Sequence, residues 1–230
     1  MTKPPVRPPV CTAQRRARRW LPRTTAALAL TAGTAWAQLC GPLPSGGYGP
    51  YDYRTDKDKL ALVEKFHFTA PVQALVSGAT GKIGGDLEYT LDKFPNHHRA
   101  LLAVMQLAER HNATRLEAMT YPVDCYFDRA LRFRRDDTVV RGLFALHLSK
   151  TGRREQALAE LETARGMAGE NALTHANLGL VYTELQDYPN ALLQAQRARE
   201  LGFAATVLVN RLKAAGQWRE APAPDMPESG

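Results

Sequence analysis

Small residues recur in this chain at a spacing of 34. Ala145 and Gly179 are 34 residues apart, and so are Ala157 and Ala191, Ala164 and Ala198, and Ala130 and Ala164, while Leu148 and Tyr182 keep the same interval. They fall in stretches with helical apolar spacing: "TVVRGLFALHLSKTG" then "RREQALAELETARGMAG", and "NALTHANLGLVYTELQD" then "YPNALLQAQRARELG". Small side chains at fixed places in successive helix pairs let the helices approach closely. A unit of that size buries its apolar face only by stacking on its neighbours. The expectation is an all-α chain, built as an α-solenoid of about three helix pairs.

The copy at 172–205 shows Leu178-Gly179-x-x-Tyr182, Asp187-Tyr188 at the turn, Ala191 and Ala198. The copy at 138–171 keeps Phe144, Ala145, Leu148, Gly152, Ala157, Leu161 and Ala164. On these residues the chain resembles the tetratricopeptide repeat family, over roughly 86 to 218. It departs from the pattern at His175, where Trp is usual, at Ala195, where an aromatic is usual, and at Phe203, where Pro is usual. The first copy is irregular. "FPNHHRALLAVMQLA" enters with Pro95 at the junction, "CYFDRALRF" keeps Phe127 and Ala130, and about eight extra residues lie between them.

The resemblance implies a TPR-like solenoid in which the first helix of each pair lines a concave groove for an extended or helical peptide of a partner. By repeat position the groove-facing residues are Arg99, Gln106 and Arg110, then Leu143, Leu146 and Lys150, then Asn177, Leu180 and Glu184. Some members grip a C-terminal carboxylate with paired Lys/Arg and Asn. Here Arg99, Lys150 and Asn177 alone offer that chemistry, an incomplete set, and Leu143 and Leu146 make the middle of the groove apolar.

Four segments follow. Residues 1–37 read as a signal peptide, with a basic start, the uncharged run "AALALTAGTAWA" and small residues at Ala35 and Ala37. The run is shorter than the roughly 20 apolar residues that span a bilayer. The expectation is export to the periplasm with cleavage after Ala37, and an Arg-rich transit peptide is the competing reading. Residues 38–85 form a Gly/Pro/Tyr-rich arm and N-terminal cap. Within them 58–68 fits helix and strand templates alike, and Thr69-Ala70-Pro71 opens a helix to about Val76. Residues 86–218 are the helical repeats, with Asp86 and Asn96 expected to cap the first two helices and 203–218 closing the far end. Residues 219–230 are expected to be disordered.

Charge removes one class of function. The leader carries seven of the 30 basic residues and none of the 23 acidic ones, so the chain after Ala37 is balanced. Nucleic-acid binding needs a lasting basic surface, and no nucleic-acid partner is expected. Of the three cysteines, Cys11 lies in the leader, leaving Cys40 and Cys125 as an even pair for one disulfide in an oxidising compartment. Leu39 precedes Cys40 where a lipid-attachment motif wants a small residue.

Nothing asks for catalysis. The six histidines make no His-x-x-x-His pair, and capping or packing is expected of His97, His98 and His175. "SGATGKIGG" is not a phosphate loop, because Ser77 stands where the first Gly belongs and Ile83 follows Lys82. No enzyme activity, cofactor or metal is expected. The reading is an exported scaffold that binds a protein or peptide in a cell-envelope assembly. The alternatives are a periplasmic small-ligand or metal-binding protein and an envelope lipoprotein scaffold. The arm at 41–57 is itself a candidate to fill the groove.

Overall fold

The structure, a computed structural model, describes residues 40–45 and 47–220. The leader, its cleavage point after Ala37, Cys11 and residues 221–230 lie outside them. Among the described residues the chain is all-α, with ten helices and no strand. They are α1 (Lys57–His67), α2 (Ala70–Gln73), α3 (Ile83–Lys93), α4 (His98–His111), α5 (Val123–Phe133), α6 (Thr138–Lys150), α7 (Arg154–Met167), α8 (Ala172–Glu184), α9 (Tyr188–Glu200) and α10 (Thr206–Ala214). None is long and apolar enough to cross a membrane.

The 34-residue interval governs the second half. Helices α6 and α8 start at Thr138 and Ala172, and α7 and α9 at Arg154 and Tyr188, each 34 apart. Their caps repeat too. Asp137 accepts from Val140 N at 3.1 Å, and Asn171 accepts from Thr174 N at 3.0 Å. α6 packs on α7, α8 on α9, and α6 on α8, while α10 covers α8 and α9 with Leu208 and Leu212 buried. Ala145, Ala157, Ala164, Ala191 and Ala198 are wholly buried. At Gly179 an added Cβ would stand 2.3 Å from Leu208 Cδ2 and 3.2 Å from Gln194 Cβ, which is why the position is small.

The first half departs from local expectation at three points. The helix opening at Ala70 stops at Gln73 rather than near Val76, because Leu75 turns into left-handed backbone at φ 57° and is buried. Asp86 does not cap α3, which begins three residues earlier at Ile83. Its buried carboxylate instead accepts from Ala79 N at 2.7 Å, Thr80 N at 3.1 Å and Thr80 Oγ1 at 2.8 Å, and His67 Nδ1 lies 3.0 Å away. The glycine-rich loop thus wraps an internal carboxylate. Asn96 does not cap α4, because His97 does. Asn96 is buried, and its Nδ2 donates to Asp52 at 2.8 Å and Asp137 at 2.9 Å.

Residues 57–67 resolve as helix because Leu60 and Val63 face inward against Phe94 and the tyrosines of the arm. The arm lies over α3 and α5. Cys40 and Cys125 sulfurs are 2.07 Å apart, a disulfide closing 85 residues. Arg129 donates to Pro42 O at 2.8 Å, Arg132 to Gly41 O at 2.9 Å, and Tyr51 N to Lys93 O at 2.8 Å.

Candidate functional site

Between α6 and α8, the paired helices that begin 34 residues apart, lies a cleft of about 270 Å³. It is lined by Thr138, Val139, Gly142 and Leu143 from α6, and by Thr174, Asn177, Leu178, Leu180 and Val181 from α8. Gly142 puts no side chain between the helices there, and a Cβ would reach only ordinary contact with Leu178 and Val181, at 3.9 Å each. Its lining carries no charge. Leu173, one turn before Asn177, is 55% exposed and extends the apolar face at the rim.

Three of the nine sequence-derived groove residues meet here: Leu143, Asn177 and Leu180. Asn177 is exposed, and its side-chain amide bonds to no other described residue. Leu146 is half-buried against the core of the first half. The charged candidates are engaged elsewhere. Lys150 Nζ binds Glu109 Oε1 at 2.6 Å, and Glu184 pairs with Arg211. Arg99 Nη1 donates to Glu64 at 3.1 Å and its Nη2 to Gln73, while Arg110 donates to Leu75 O at 2.9 Å. The α1–α2 segment and the turn after it therefore engage Arg99 and Arg110, which like Gln106 between them stay exposed. No described residue of the arm lines the cleft.

Repeat position alone missed Thr138, Val139, Gly142, Thr174, Leu178 and Val181. The signal was present in helical spacing. Val139 precedes Leu143 by four residues, and Thr174 and Val181 flank the Asn177 row at i−3 and i+4, so they share its face.

A second cleft, of about 530 Å³, opens between α5 and α7 over Leu131 and Phe144. It is charged, and all of its ionic side chains but Arg135 are paired among the described residues. Arg132 pairs with Asp128 at 2.7 Å, Arg141 with Glu160 at 2.6 Å, and Arg153 and His147 both bind Asp124. Burial raises the Asp124 carboxyl, but the His147 and Arg153 hydrogen bonds outweigh it and hold the group well below the usual carboxylate range.

Three further histidines are likewise committed to side-chain partners, His67 to Asp86, His98 to Asp137 at 2.9 Å, and His175 to Gln194 at 2.7 Å, while His111 is exposed. Among the described residues no group of three or more His, Cys, Asp or Glu is placed to hold a metal ion. Comparison with family models, with curated proteins and with solved structures gives no match.

Proposed function

We propose that this chain is an exported, TPR-like helical-repeat scaffold that binds a protein or peptide partner through the cleft between α6 and α8. The observation that carries the reading is the cleft itself: uncharged, apolar-floored, and open beside an asparagine amide that bonds to no other described residue. An amphipathic helix or extended segment inserting apolar side chains suits such a lining, and Asn177 supplies donor and acceptor for its polar edge. The repeated starts and caps of α6 and α8 support the solenoid reading, since equivalent helices then present equivalent faces to one groove.

Export to the periplasm rests on the leader and on the Cys40–Cys125 pair, whose sulfurs lie at disulfide distance; such pairs persist in oxidising compartments. The test is paired capture from a cell-envelope fraction with the parent protein and with Leu143→Asp/Leu180→Asp. The reading predicts a stoichiometric partner retained by the parent and lost by the variant, with the helical circular dichroism signal unchanged. Equal retention by both sinks the cleft assignment.

A further inference from the structure

His97 is wholly buried and caps α4 with a ring nitrogen. Its Nδ1 accepts the N–H of Ala100 at 3.1 Å, and its Nε2 lies 3.1 Å from Glu64 Oε1. A ring nitrogen that accepts an N–H carries no proton. The geometry therefore requires the neutral imidazole with its hydrogen on Nε2, donated to Glu64. The caps of α6 and α8 are oxygens of Asp137 and Asn171, which accept whatever the solution pH near neutrality. The cap of α4 does not share that property. A proton on Nδ1 would set one N–H against another.

The surroundings of His97 decide what a second proton meets. From α1 comes Glu64, whose Oε1 is shared with Arg99 Nη1 at 3.1 Å. From α4 come Arg99 itself and His98, which is turned onto Asp137. The arm contributes the Tyr53 ring at 4.3 Å, the end of α1 contributes Phe68 at 4.8 Å, and the end of α3 contributes Phe94 at 6.4 Å. Glu64 favours a charged ring, and the aromatic rings add at most a weak cation–π attraction. The loss of water around the buried ring, the Arg99 guanidinium and the positive end of the α4 dipole oppose it.

We infer that His97 is an acid-sensitive clasp between the N-terminal segment and α4: one proton taken up at Nδ1 unmakes the α4 cap and loosens the seam that α1 and the arm form on it. That seam carries more than the cap. Glu64 and Gln73 hold Arg99, and Leu75 O holds Arg110, so loosening it releases both guanidiniums of α4. The inference stands on the cap geometry and does not depend on the peptide reading.

The direction of the effect follows from linkage. Burial, the largest influence, holds the His97 ring below its ordinary value, and Glu64 offsets this only in part. A histidine depressed in the folded state contributes stability that is present above its ordinary value of about 6.5 and is lost as pH falls through the folded value.

The experiment compares the parent with His97→Asn, since asparagine is a strong cap that accepts from Ala100 N and does not titrate. Urea midpoints are measured between pH 7.5 and pH 5. The parent midpoint should fall further than that of the variant, with the gap widening toward pH 5. Long-range nitrogen–proton NMR on the parent should show His97 protonated on Nε2 alone at pH 7.5. Proton uptake at Nδ1 should coincide with a shift of the Ala100 amide. Parallel midpoint curves, an Nδ1–H tautomer at pH 7.5, or uptake at Nδ1 without change at Ala100 would overturn the inference. The ring spectrum decides alone if the variant does not fold.

Discussion

Gly152 and Gln186 occupy the same turn of successive helix pairs, 34 residues apart, and both hold left-handed backbone, at φ 78° and φ 57°. Each turn closes the same way, with Arg153 N donating to Leu148 O at 2.8 Å and Asp187 N to Tyr182 O at 2.9 Å. Glycine holds this conformation without strain, whereas a side chain costs about 1–2 kcal/mol. Gln186→Gly should therefore raise stability by about 1 kcal/mol, and Gly152→Gln should lower it by a similar amount. Opposite shifts in urea midpoint check the pair, and shifts of the same sign would show that the turns are not equivalent.

Asp86 organises the glycine-rich loop from inside. A Cβ at Gly78 would stand 2.1 Å from Gly81 O and 3.0 Å from Asp86 Oδ2, so the glycine is required first by the close approach of the Gly81 carbonyl across the loop, with the carboxylate next to it. Asp86→Ala leaves the Ala79 and Thr80 N–H groups without their acceptor and should cost on the order of 3 kcal/mol, since hydrogen bonds to charged groups are the strong ones. Thermal denaturation reads the loss. A change under about 0.5 kcal/mol, the size of an ordinary surface substitution, would contradict the wrapped-carboxylate account.

A buried ionic hub joins the arm to two interhelical turns. Burial raises the Asp52 carboxyl, but hydrogen bonds from Arg54, Asn96 and Arg134 prevail and hold it well below the usual carboxylate range. Asp137 is lowered too, its burial outweighed by His98 and Asn96. Carboxylates depressed in the folded state contribute stability that is present above their ordinary value of about 3.9 and lost as pH falls through the folded values. Stability should thus fall steeply below about pH 4, and Asp52→Asn should flatten that acid limb while leaving the slope above pH 5 unchanged. An unaltered acid limb would assign the loss to other groups.

The Cys40–Cys125 bridge fastens an arm whose described residues between Gly41 and Asp56 form no regular secondary structure outside short turns. Non-reducing mass analysis should find no free thiol at either position. Cys40→Ser should lower stability by roughly 2–5 kcal/mol, the range for a native bridge closing a long loop. Because Arg129 and Arg132 still hold Pro42 and Gly41, the helical circular dichroism signal should persist. Two titrating thiols in the native protein would remove the bridge from the account.

What was legible in the sequence was what repeats or packs locally. The 34-residue register placed α6 to α9, and the small residues at Ala145, Gly179, Ala157 and Ala191 marked where helices touch. What was not legible depended on distant partners. Asn96 outranks His97 as a cap by local preference, yet Asp52, 44 residues before it, and Asp137, 41 residues after it, draw Asn96 into the hub and leave the cap to His97. Asp86 departs from its local preference for the same reason, since His67 and the loop at 79–80 claim its carboxylate. At the candidate site, Leu143, Asn177 and Leu180 follow from repeat position. The engagement of Arg99 and Arg110 does not, because it depends on how α1 and α2 fold back over α4.

The central claim, that the uncharged cleft between α6 and α8 receives a partner, is tested most directly by a photo-crosslinking residue placed at Asn177 and, separately, at the exposed Leu193 on α9. Both proteins are irradiated in the envelope fraction of the producing cell. The account predicts a discrete adduct from position 177, reduced by Leu143→Asp, and none from position 193. No adduct at 177, or the same adduct from both positions, would contradict it.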